Sequence, residues 1–445
     1  MDKVKLGFNK LTIYKFIWLN CLAIFFFTSY NFANWFTSTR SDVGSIVFKW
    51  EHSIPLWSWS IVPYWSIDLM YGLAILLVCS HRALKILCLR LLSAQIICII
   101  CFLIFPLKFS FERPTLDGLS GLLFDILMGF DKPFNQAPSL HITLLVILWQ
   151  FYASYFRGVW RYILHIWCLL IALSVLTTWQ HHFFDVPTGV GVGCFCIWLW
   201  PDDSLSPIKN YQLPKQYFWS SVYFLLFAFS FSIAIYFYSW ALWLLWFSVA
   251  FLLVSVNYLL VGTVGFQKQT NGKFNLVVTI LYLPYFVIIW VNSRLWTFKN
   301  KSVDLICDNV YLGRIPSNNT LRTNHFFSIV DLCAELPIPH FNGQYNLIPV
   351  LDMTPLTIEQ CQQAAEIINQ HYKKGKLLVC CALGYSRSAT AIIAWLLLTK
   401  RSSNLDEAIS MVKERRHTIV ITAKQRIILL DWFLQIKKGS QYVKS

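Results

Sequence analysis

The sequence predicts an all-α membrane bundle followed by a soluble α/β domain, and three observations support this. Of the 445 residues, 56% are hydrophobic and only 13% are charged, whereas soluble domains carry about 25% charge. Apolar runs of membrane-spanning length alternate with short connections before residue 295. After it, β-like runs alternate with helical periodicity. We predict six spans in residues 1–201, two or three additional spans in 202–295, and a soluble domain in 296–445.

The spans are predicted from apolar runs, which lie at residues 11–30, 62–80, 87–107, 140–157, 160–178, 184–200, 217–238, 240–263 and 276–293. The first run follows several lysines but lacks a small-residue cleavage site, so we predict a retained span rather than a signal peptide. The run at 276–293 contains Pro284 and is the weakest candidate.

Charge and cysteine usage exclude some classes of function. The net charge is +15, but the basic residues fall in short connections between spans, as the positive-inside rule expects. We therefore expect no nucleic-acid partner. The 13 cysteines show neither metal-type nor disulfide-type spacing, so we expect most of them to be small core or lipid-facing residues. We expect no metal and no cofactor.

The soluble domain is predicted to alternate strands and helices. The β-like runs are residues 309–312, 327–330, 347–350 and 377–379, and helical periodicity appears at 357–373, 388–400, 404–415 and 424–437. About 150 residues are enough for one independent core.

Residues 380–388, which we call the cysteine loop, lie between a β-like run and a helix-forming run. Backbone N–H groups of such a loop, including those of Gly384 and Ser386, would surround a phosphate together with the positive end of the helix. Arg387 would bind two phosphate oxygens in a bidentate fork. The same field would favour the thiolate of Cys381 as a nucleophile.

Three polar clusters interrupt the first six spans, at residues 108–114, 138–141 and 180–185. If the N-terminus is cytoplasmic, the parity of the spans places all three clusters on the opposite face of the membrane. One pocket could then collect them, although a single histidine near a membrane interface is often only a polar anchor. The combination is what predicts a catalytic pocket.

The chemistry of these clusters suits phosphoryl transfer. At the start of a helix, His181 and Asp185 would share one face because they are four residues apart. A carboxylate bonded to one imidazole nitrogen leaves the other free to attack phosphorus. His141 could protonate the leaving alkoxide. The residues that could hold phosphate oxygens are Lys108, Arg113 and Ser139.

These residues give the six-span region its resemblance to the type 2 phosphatidic acid phosphatase family of membrane lipid phosphatases and phosphotransferases. The resemblance implies that His181 is the nucleophile, Asp185 its orienting partner and His141 the general acid. The sequence departs from the family pattern at three places. Leu140 replaces a glycine and Val175 replaces an arginine, and in the first motif four residues rather than six separate Lys108 from Arg113. Similar departures occur in the branch with inositol phosphorylceramide synthases, which transfer a headgroup, so hydrolysis and transfer both remain open.

The cysteine loop resembles the signature of dual-specificity phosphatases, within the protein tyrosine phosphatase superfamily. The resemblance covers most of residues 300–440. By resemblance, Asp352, 29 residues before Cys381, would protonate the leaving oxygen and later activate water against the phosphocysteine. Ser388 would help the thiolate to leave. Asp331 is a rival acid, but its place beside a β-like run favours a structural role.

Cys380 stands where the family has a histidine that supports the thiolate. We therefore expect Cys381 to react more slowly than in the family. Cys380 could form a protective disulfide or compete as a nucleophile, but its position in a strand suggests that it points away from the phosphate.

Together the resemblances predict a bifunctional membrane phosphatase acting on phospholipids. It would combine phosphohistidine-type hydrolysis or headgroup transfer with phosphocysteine-type monoester hydrolysis. Its partners would be membrane lipids and a phosphorylated lipid or phosphoprotein. The alternative is a membrane-anchored protein phosphatase whose bundle is a non-catalytic anchor or lipid-binding module. A transporter is less favoured because the polar residues cluster at span ends. We expect an integral, multi-pass protein of a bacterial inner (cell) membrane.

The side of the membrane that holds the soluble domain stays open. Nine spans from a cytoplasmic N-terminus would put residues 296–445 outside the cytoplasm. However, Arg294, Lys299 and Lys301 favour the inside, as does a thiolate enzyme, which suits a reducing compartment. The conflict disappears if one of the last three apolar runs does not fully span.

Overall fold

The computed structural model describes residues 2–442, and these form two compact units. The first contains the residues up to Ser206 together with Phe237–Trp240, and the second contains Pro207–Tyr236 and the chain from Ala241 onward. The predicted boundary after residue 201 lies close to this division. The predicted boundary after residue 295 falls inside the second unit, so the additional apolar helices and the α/β domain belong to one compact body.

Helices dominate the first unit. Its α-helices are α1 (Asp2–Ser38), α2 (Ile61–Leu77), α3 (His81–Ile104), α4 (Gly118–Phe130), α5 (Leu140–Tyr155), α6 (Val159–Thr177) and α7 (Asp185–Leu199). Each of the first six predicted runs coincides with one of them, and α4 was not predicted. Helices α5 and α7 have only 16 and 15 residues.

The close packing of α7 on α5 depends on a glycine in α7. A Cβ atom at Gly189 would lie 2.6 Å from the carbonyl oxygen of Ser139 and 2.9 Å from Cβ of Ile142. The absence of a side chain there lets the N-terminal turns of the two helices approach. Ser139 caps α5 by accepting a 3.3 Å hydrogen bond from the Ile142 amide. Two of the predicted polar clusters therefore lie side by side.

The second unit begins with apolar helices. They are α8 (Tyr217–Phe237), α9 (Leu244–Val256), a π-helical turn (Asn257–Val261), a 3₁₀ turn (Gly262–Phe266) and α10 (Leu276–Thr297). Across both units, seven helices of the described chain are long and apolar enough to cross a membrane, judged by length and composition. Pro284 lies inside α10 without ending it.

A five-stranded sheet forms the centre of the α/β domain. The strands are β1 (Val303–Cys307), β2 (Val310–Arg314), β3 (Ser328–Cys333), β4 (Gln344–Val350) and β5 (Leu377–Cys381). Their order is β1-β2-β5-β3-β4, with β1 antiparallel to β2 and the other pairs parallel. The four predicted strands are confirmed, and the unpredicted β1 is an edge strand of five residues in which only Ile306 is buried.

Helices complete the α/β domain. They are α11 (Asn318–Asn324), α12 (Ile358–His371), α13 (Arg387–Leu398), α14 (Leu405–Arg415) and α15 (Ala423–Tyr442). Four of them match the predicted helices, and α11 was not predicted. Trp395 of α13 and Trp432 of α15 are buried in the core beside β5. Because the parallel strands run in one direction, the carboxyl ends of β2, β3, β4 and β5 meet at one edge.

Candidate active sites

The cysteine loop joins the end of β5 to the start of α13. Cys381 is the last residue of β5 and is 3% exposed. Its Sγ accepts a 3.2 Å hydrogen bond from the Gly384 amide, and the Ser388 hydroxyl lies 3.2 Å from the same sulfur. A backbone donor and a hydroxyl at the sulfur are suited to stabilise a thiolate. The structure therefore brings Cys381, Gly384 and Ser388 together, as predicted.

Gly384 is required by the path of this loop. Its φ is +75°, and a Cβ there would lie 2.4 Å from the carbonyl carbon of Gly313. Only glycine combines this left-handed conformation with so close an approach of two backbones.

Two side chains that sequence reasoning missed brace the loop from outside. Arg416 donates from Nε to the Gly384 carbonyl (3.0 Å) and from Nη2 to the Leu383 carbonyl (3.2 Å). Its Nη1 pairs with Asp304 at 2.6 Å. Gln425 donates a 2.7 Å hydrogen bond to the Ser386 hydroxyl. These contacts fix the conformation of the loop.

Arg387 is buried at the start of α13 and bound to two acids. Its guanidinium makes a bidentate pair with Glu335, at 2.6 and 3.0 Å. Nη1 also donates to the Val350 carbonyl (2.7 Å), and Nη2 donates to Asp352 (2.8 Å). Within the described chain, Nε has no hydrogen-bond partner. The predicted pair of Arg387 and Asp352 is thus brought together, and Glu335 is an acid that the sequence analysis missed.

The pKa values of the two acids on Arg387 are shifted in opposite directions. Burial raises the pKa of Asp352 above its ordinary value and outweighs the opposing effect of Arg387, and Glu335 raises it further. Burial also acts to raise the pKa of Glu335, but Arg387 outweighs it and the pKa lies below its ordinary value. Glu335 is therefore the permanent counter-ion of Arg387, whereas Asp352 is the acid that can carry a proton.

Asp331 has the structural role that was favoured for it. It is fully buried and accepts hydrogen bonds from Lys268 Nζ (2.7 Å) and from the Tyr345 hydroxyl (2.8 Å). The backbone amide of Cys333 donates a third hydrogen bond to it, at 2.8 Å. Cys380 is fully buried in β5, and burial together with Asp331 raises the pKa of its thiol well above the ordinary value. Cys380 is therefore unsuited to compete as a thiolate nucleophile.

Apolar helices of the second unit contact this site directly, which the sequence did not indicate. The Tyr258 hydroxyl, in the π-helical turn after α9, donates a 3.0 Å hydrogen bond to the Asp352 carbonyl. The Ser293 hydroxyl of α10 donates a 2.6 Å hydrogen bond to the Ala382 carbonyl. Tyr258 and Tyr285 of α10 are each 1% exposed and interact electrostatically with Glu335 and Asp352.

The second candidate site, which we call the histidine cluster, consists of His141, His181 and Asp185 in the first unit. His181 Nδ1 lies 3.2 Å from Asp185 Oδ2, so the predicted pair exists. The expectation that both residues sit on a helix is wrong for His181, which precedes α7 in a turn. Trp179 adopts a φ of +54° there, and this left-handed conformation turns the backbone away from the direction of α6.

His141 packs against a tyrosine that is hydrogen-bonded to a partly buried acid. Its ring stacks on Tyr64 with centroids 4.1 Å apart. The Tyr64 hydroxyl donates to Asp131 (3.3 Å), as does the Tyr30 hydroxyl (2.7 Å). Asp131 also interacts electrostatically with His181. Sequence reasoning missed Asp131, although its position shortly before the cluster at residues 138–141 was an available signal.

The predicted phosphate-holding residues of this unit have different surroundings. Arg113 donates to the carbonyls of Thr178 (3.1 Å) and Trp179 (2.8 Å), beside His181. Ser139 is fully buried, and its amide donates a 3.1 Å bond to the Asp185 carbonyl. Lys108 is exposed, and its amino group pairs with no described residue.

The imidazole of His182 is bound to residues outside the histidine cluster. Its Nε2 accepts from the Ser110 amide (3.2 Å), which leaves Nδ1 to donate to Glu51 at 3.0 Å. Both nitrogens are therefore committed to structural hydrogen bonds.

Comparisons with known proteins concern the second unit. The family model "dual specificity phosphatase, catalytic domain" matches residues 310–435. The protein "Putative tyrosine phosphatase 123R" of Invertebrate iridescent virus 6 is 32% identical over 120 residues, which cover 26% of this chain and 80% of the viral protein. Dual specificity protein phosphatase 4 of Homo sapiens is 42% identical over 96 residues, 21% of this chain and 24% of the human protein.

Among solved structures, the crystal structure of Tk-PTP in the active form is 26% identical, covers 30% of this chain and 96% of its own, and gives a TM-score of 0.27. The family match includes β2, the cysteine loop and α14, and it ends within α15. Through this domain the chain belongs to the dual specificity phosphatase family, and it is a phosphatase of the protein tyrosine phosphatase superfamily.

Proposed function

We propose that this protein is a bifunctional integral membrane phosphatase that acts on phospholipids. The observation that carries the proposal is the hydrogen bond from Ser293 of apolar helix α10 to Ala382. A phosphatase site for soluble substrates needs no such contact. A site built against apolar helices is suited to a phosphate on a membrane lipid.

In the cysteine site, the thiolate of Cys381 attacks phosphorus and forms a P–S bond while the P–O bond to the leaving alcohol breaks. Asp352 gives its proton to the leaving oxygen. Because Nη2 of Arg387 is shared with Asp352 and Nε has no described partner, a phosphate would take both N–H groups and release the Asp352 carboxyl. Asp352 then removes a proton from a water molecule, whose oxygen bonds to phosphorus while the P–S bond breaks, and the Ser388 hydroxyl donates a hydrogen bond to the departing thiolate.

In the histidine cluster, Asp185 holds His181 so that Nε2 can attack a lipid phosphate. His141 donates the proton that the leaving alkoxide needs. An incoming hydroxyl then breaks the P–N bond and gives its proton back to His141. Arg113 would balance the phosphate charge. Val175 stands where the type 2 phosphatidic acid phosphatase family has an arginine. For this reason we favour transfer of a headgroup to another alcohol over hydrolysis.

The two activities are chemically complementary. A headgroup transferred with a terminal phosphate would leave a phospholipid that carries a monoester, and the cysteine site could remove that phosphate. Neither step requires a metal.

Full-length protein in phospholipid vesicles, assayed for headgroup transfer and for phosphate release from lipid monoesters, tests the proposal. We expect His181→Ala to abolish transfer and Cys381→Ser to abolish phosphate release, each leaving the other activity intact. His52→Gln, at an exposed histidine, is the matched control for the first variant. Lipid turnover that both variants leave unchanged would contradict the proposal.

The alternative is a membrane-anchored protein phosphatase whose bundle is a non-catalytic anchor or lipid-binding module. Val175 and the exposed Lys108 are the observations that favour it. It predicts phosphopeptide hydrolysis that depends on Cys381, together with no lipid product that depends on His141 or His181.

A further inference from the structure

Both ends of helix α10 are held by the same α/β domain. Before its N-terminus, Lys268 forms an ion pair with Asp331 at 2.7 Å. In the same segment, the Gly272 carbonyl accepts a 3.0 Å hydrogen bond from the Ile338 amide. Lys268 is 2% exposed, and although burial lowers the pKa of its amine, Asp331 outweighs this and the pKa is raised. This end of α10 is therefore bound to the segment at and after the end of β3.

The C-terminal end of α10 is bound to the opposite part of the same sheet edge. Ser293 reaches Ala382 after β5, and the Trp296 carbonyl accepts 2.7 Å from the Tyr385 hydroxyl. Arg294 donates 3.3 Å to the Ile315 carbonyl, just after β2. Since the strand order is β2-β5-β3 at this edge, α10 and the connection before it run across the carboxyl ends of the strands.

This arrangement conflicts with a membrane-crossing α10. A helix of 22 residues is about 33 Å long, close to the roughly 30 Å thickness of the hydrocarbon core. If α10 crossed, one domain would have to bind both of its ends from opposite membrane faces. The domain would then lie in hydrocarbon, where its exposed charged and backbone groups could not be hydrated.

The face of α10 that points away from the domain is apolar. Leu276, Leu283, Val287 and Trp290 share this face, and each is more than a third exposed. Exposed lysines flank both ends, with Lys273 before the helix and Lys299 and Lys301 after it. An apolar face between basic ends is complementary to a phospholipid surface.

We propose that α10 lies in the plane of the membrane surface, with this apolar face in lipid, and so holds the cysteine site at the level of the phospholipid headgroups. The placement deepens the proposed lipid activity, because the substrate phosphate would lie at the height of Cys381. It also agrees with Lys299 and Lys301, which favour the cytoplasmic face.

Labelling from one side of the membrane tests this placement without any activity assay. In a background with the exposed Cys21 and Cys79 replaced by serine, Asn271→Cys and Lys301→Cys mark exposed positions just before and just after α10. We expect a membrane-impermeant maleimide to label both positions from the same side, in intact cells or in inverted vesicles. Labelling of the two positions from opposite sides would overturn the proposal.

A second variant tests contact with lipid. Val287→Cys, on the apolar face, would carry a fluorophore in full-length protein in phosphatidylglycerol-containing vesicles. We expect a lipid-soluble quencher to reduce its emission severalfold more than that of the same label at position 271. Equal quenching at both positions would mean that water or protein covers this face, and would overturn the proposal. If both tests succeed while lipid turnover is absent, only the proposed function fails.

Discussion

The Ser293 hydroxyl donates a 2.6 Å hydrogen bond to the carbonyl of Ala382, the residue that follows Cys381. Both residues are fully buried. A helix of membrane-type composition therefore holds the backbone at the start of the cysteine loop. The α/β domain and α10 are therefore in direct contact at the cysteine loop.

Ser293→Ala should weaken the cysteine site. It leaves the Ala382 carbonyl buried without its donor, which costs about 1–3 kcal/mol. We expect a lower unfolding temperature and roughly tenfold lower kcat/KM for phosphate release. Ser232→Ala is the control, since that exposed hydroxyl bonds only to its own helix. Equal behaviour of the two variants would show that the contact does not position the loop.

Asp352→Asn should remove the general acid and lower kcat/KM by about 10²–10⁴-fold for alkyl phosphates. The loss should be much smaller for an aryl phosphate, whose leaving group needs no proton. Because the pKa of Asp352 is raised by burial, the acid stays protonated to a higher pH than an ordinary carboxyl. Wild-type kcat/KM should therefore fall as pH rises through that raised pKa, and the variant should lack this descending limb. A pH profile that the substitution leaves unchanged would remove Asp352 from the mechanism.

Glu335→Gln should destabilise the domain, because it leaves Arg387 buried with its principal counter-ion removed. Breaking a buried pair in this way costs about 3–5 kcal/mol, and denaturant unfolding measures it. The pKa of Glu335 is depressed by Arg387, so this contribution is complete above the unfolded-state pKa and is lost as pH falls through the folded-state pKa. Stability of the variant should thus approach that of wild type in acid. Glu366→Gln, on the exposed face of α12, should change neither the free energy of unfolding nor its dependence on pH.

Tyr64→Phe should impair the histidine cluster alone. The ring that stacks on His141 is kept, but Asp131 loses one of its two tyrosine donors. We expect about tenfold slower headgroup transfer, the equivalent of one hydrogen bond of about 1.4 kcal/mol, with phosphate release at Cys381 unchanged. Tyr162→Phe, at a residue 71% exposed, is the control. If phosphate release fell equally, the effect would be on folding.

The cysteine loop was predictable because its signals are local. A β-like run, Gly384 and a helix-forming run stand in sequence order, and strand ends in parallel sheets converge on one edge. Glu335 was not predictable in the same way, since nothing nearby distinguishes it from Asp331 as the partner of Arg387. Both acids lie at or just after the end of β3, and only the packing of distant segments decides that Asp331 pairs with Lys268 while Glu335 pairs with Arg387.

Longer-range features were beyond the sequence signals. Tyr258 and Ser293 belong to apolar runs whose composition indicates lipid, yet each bonds to a backbone carbonyl about 90 residues further along the chain. In the first unit, the spacing of His181 and Asp185 predicted their hydrogen bond correctly. The helix assumed for it was wrong, because the turn at Trp179 delays the start of α7.

The most direct test of the central claim compares two substrates of the cysteine site in the same vesicles. Full-length protein should release phosphate from a vesicle-embedded lipid monoester with a kcat/KM at least tenfold above that for a soluble phosphopeptide. Cys381→Ser should abolish both reactions. Preferential hydrolysis of the phosphopeptide, with lipid phosphate release that persists in Cys381→Ser, would contradict the account.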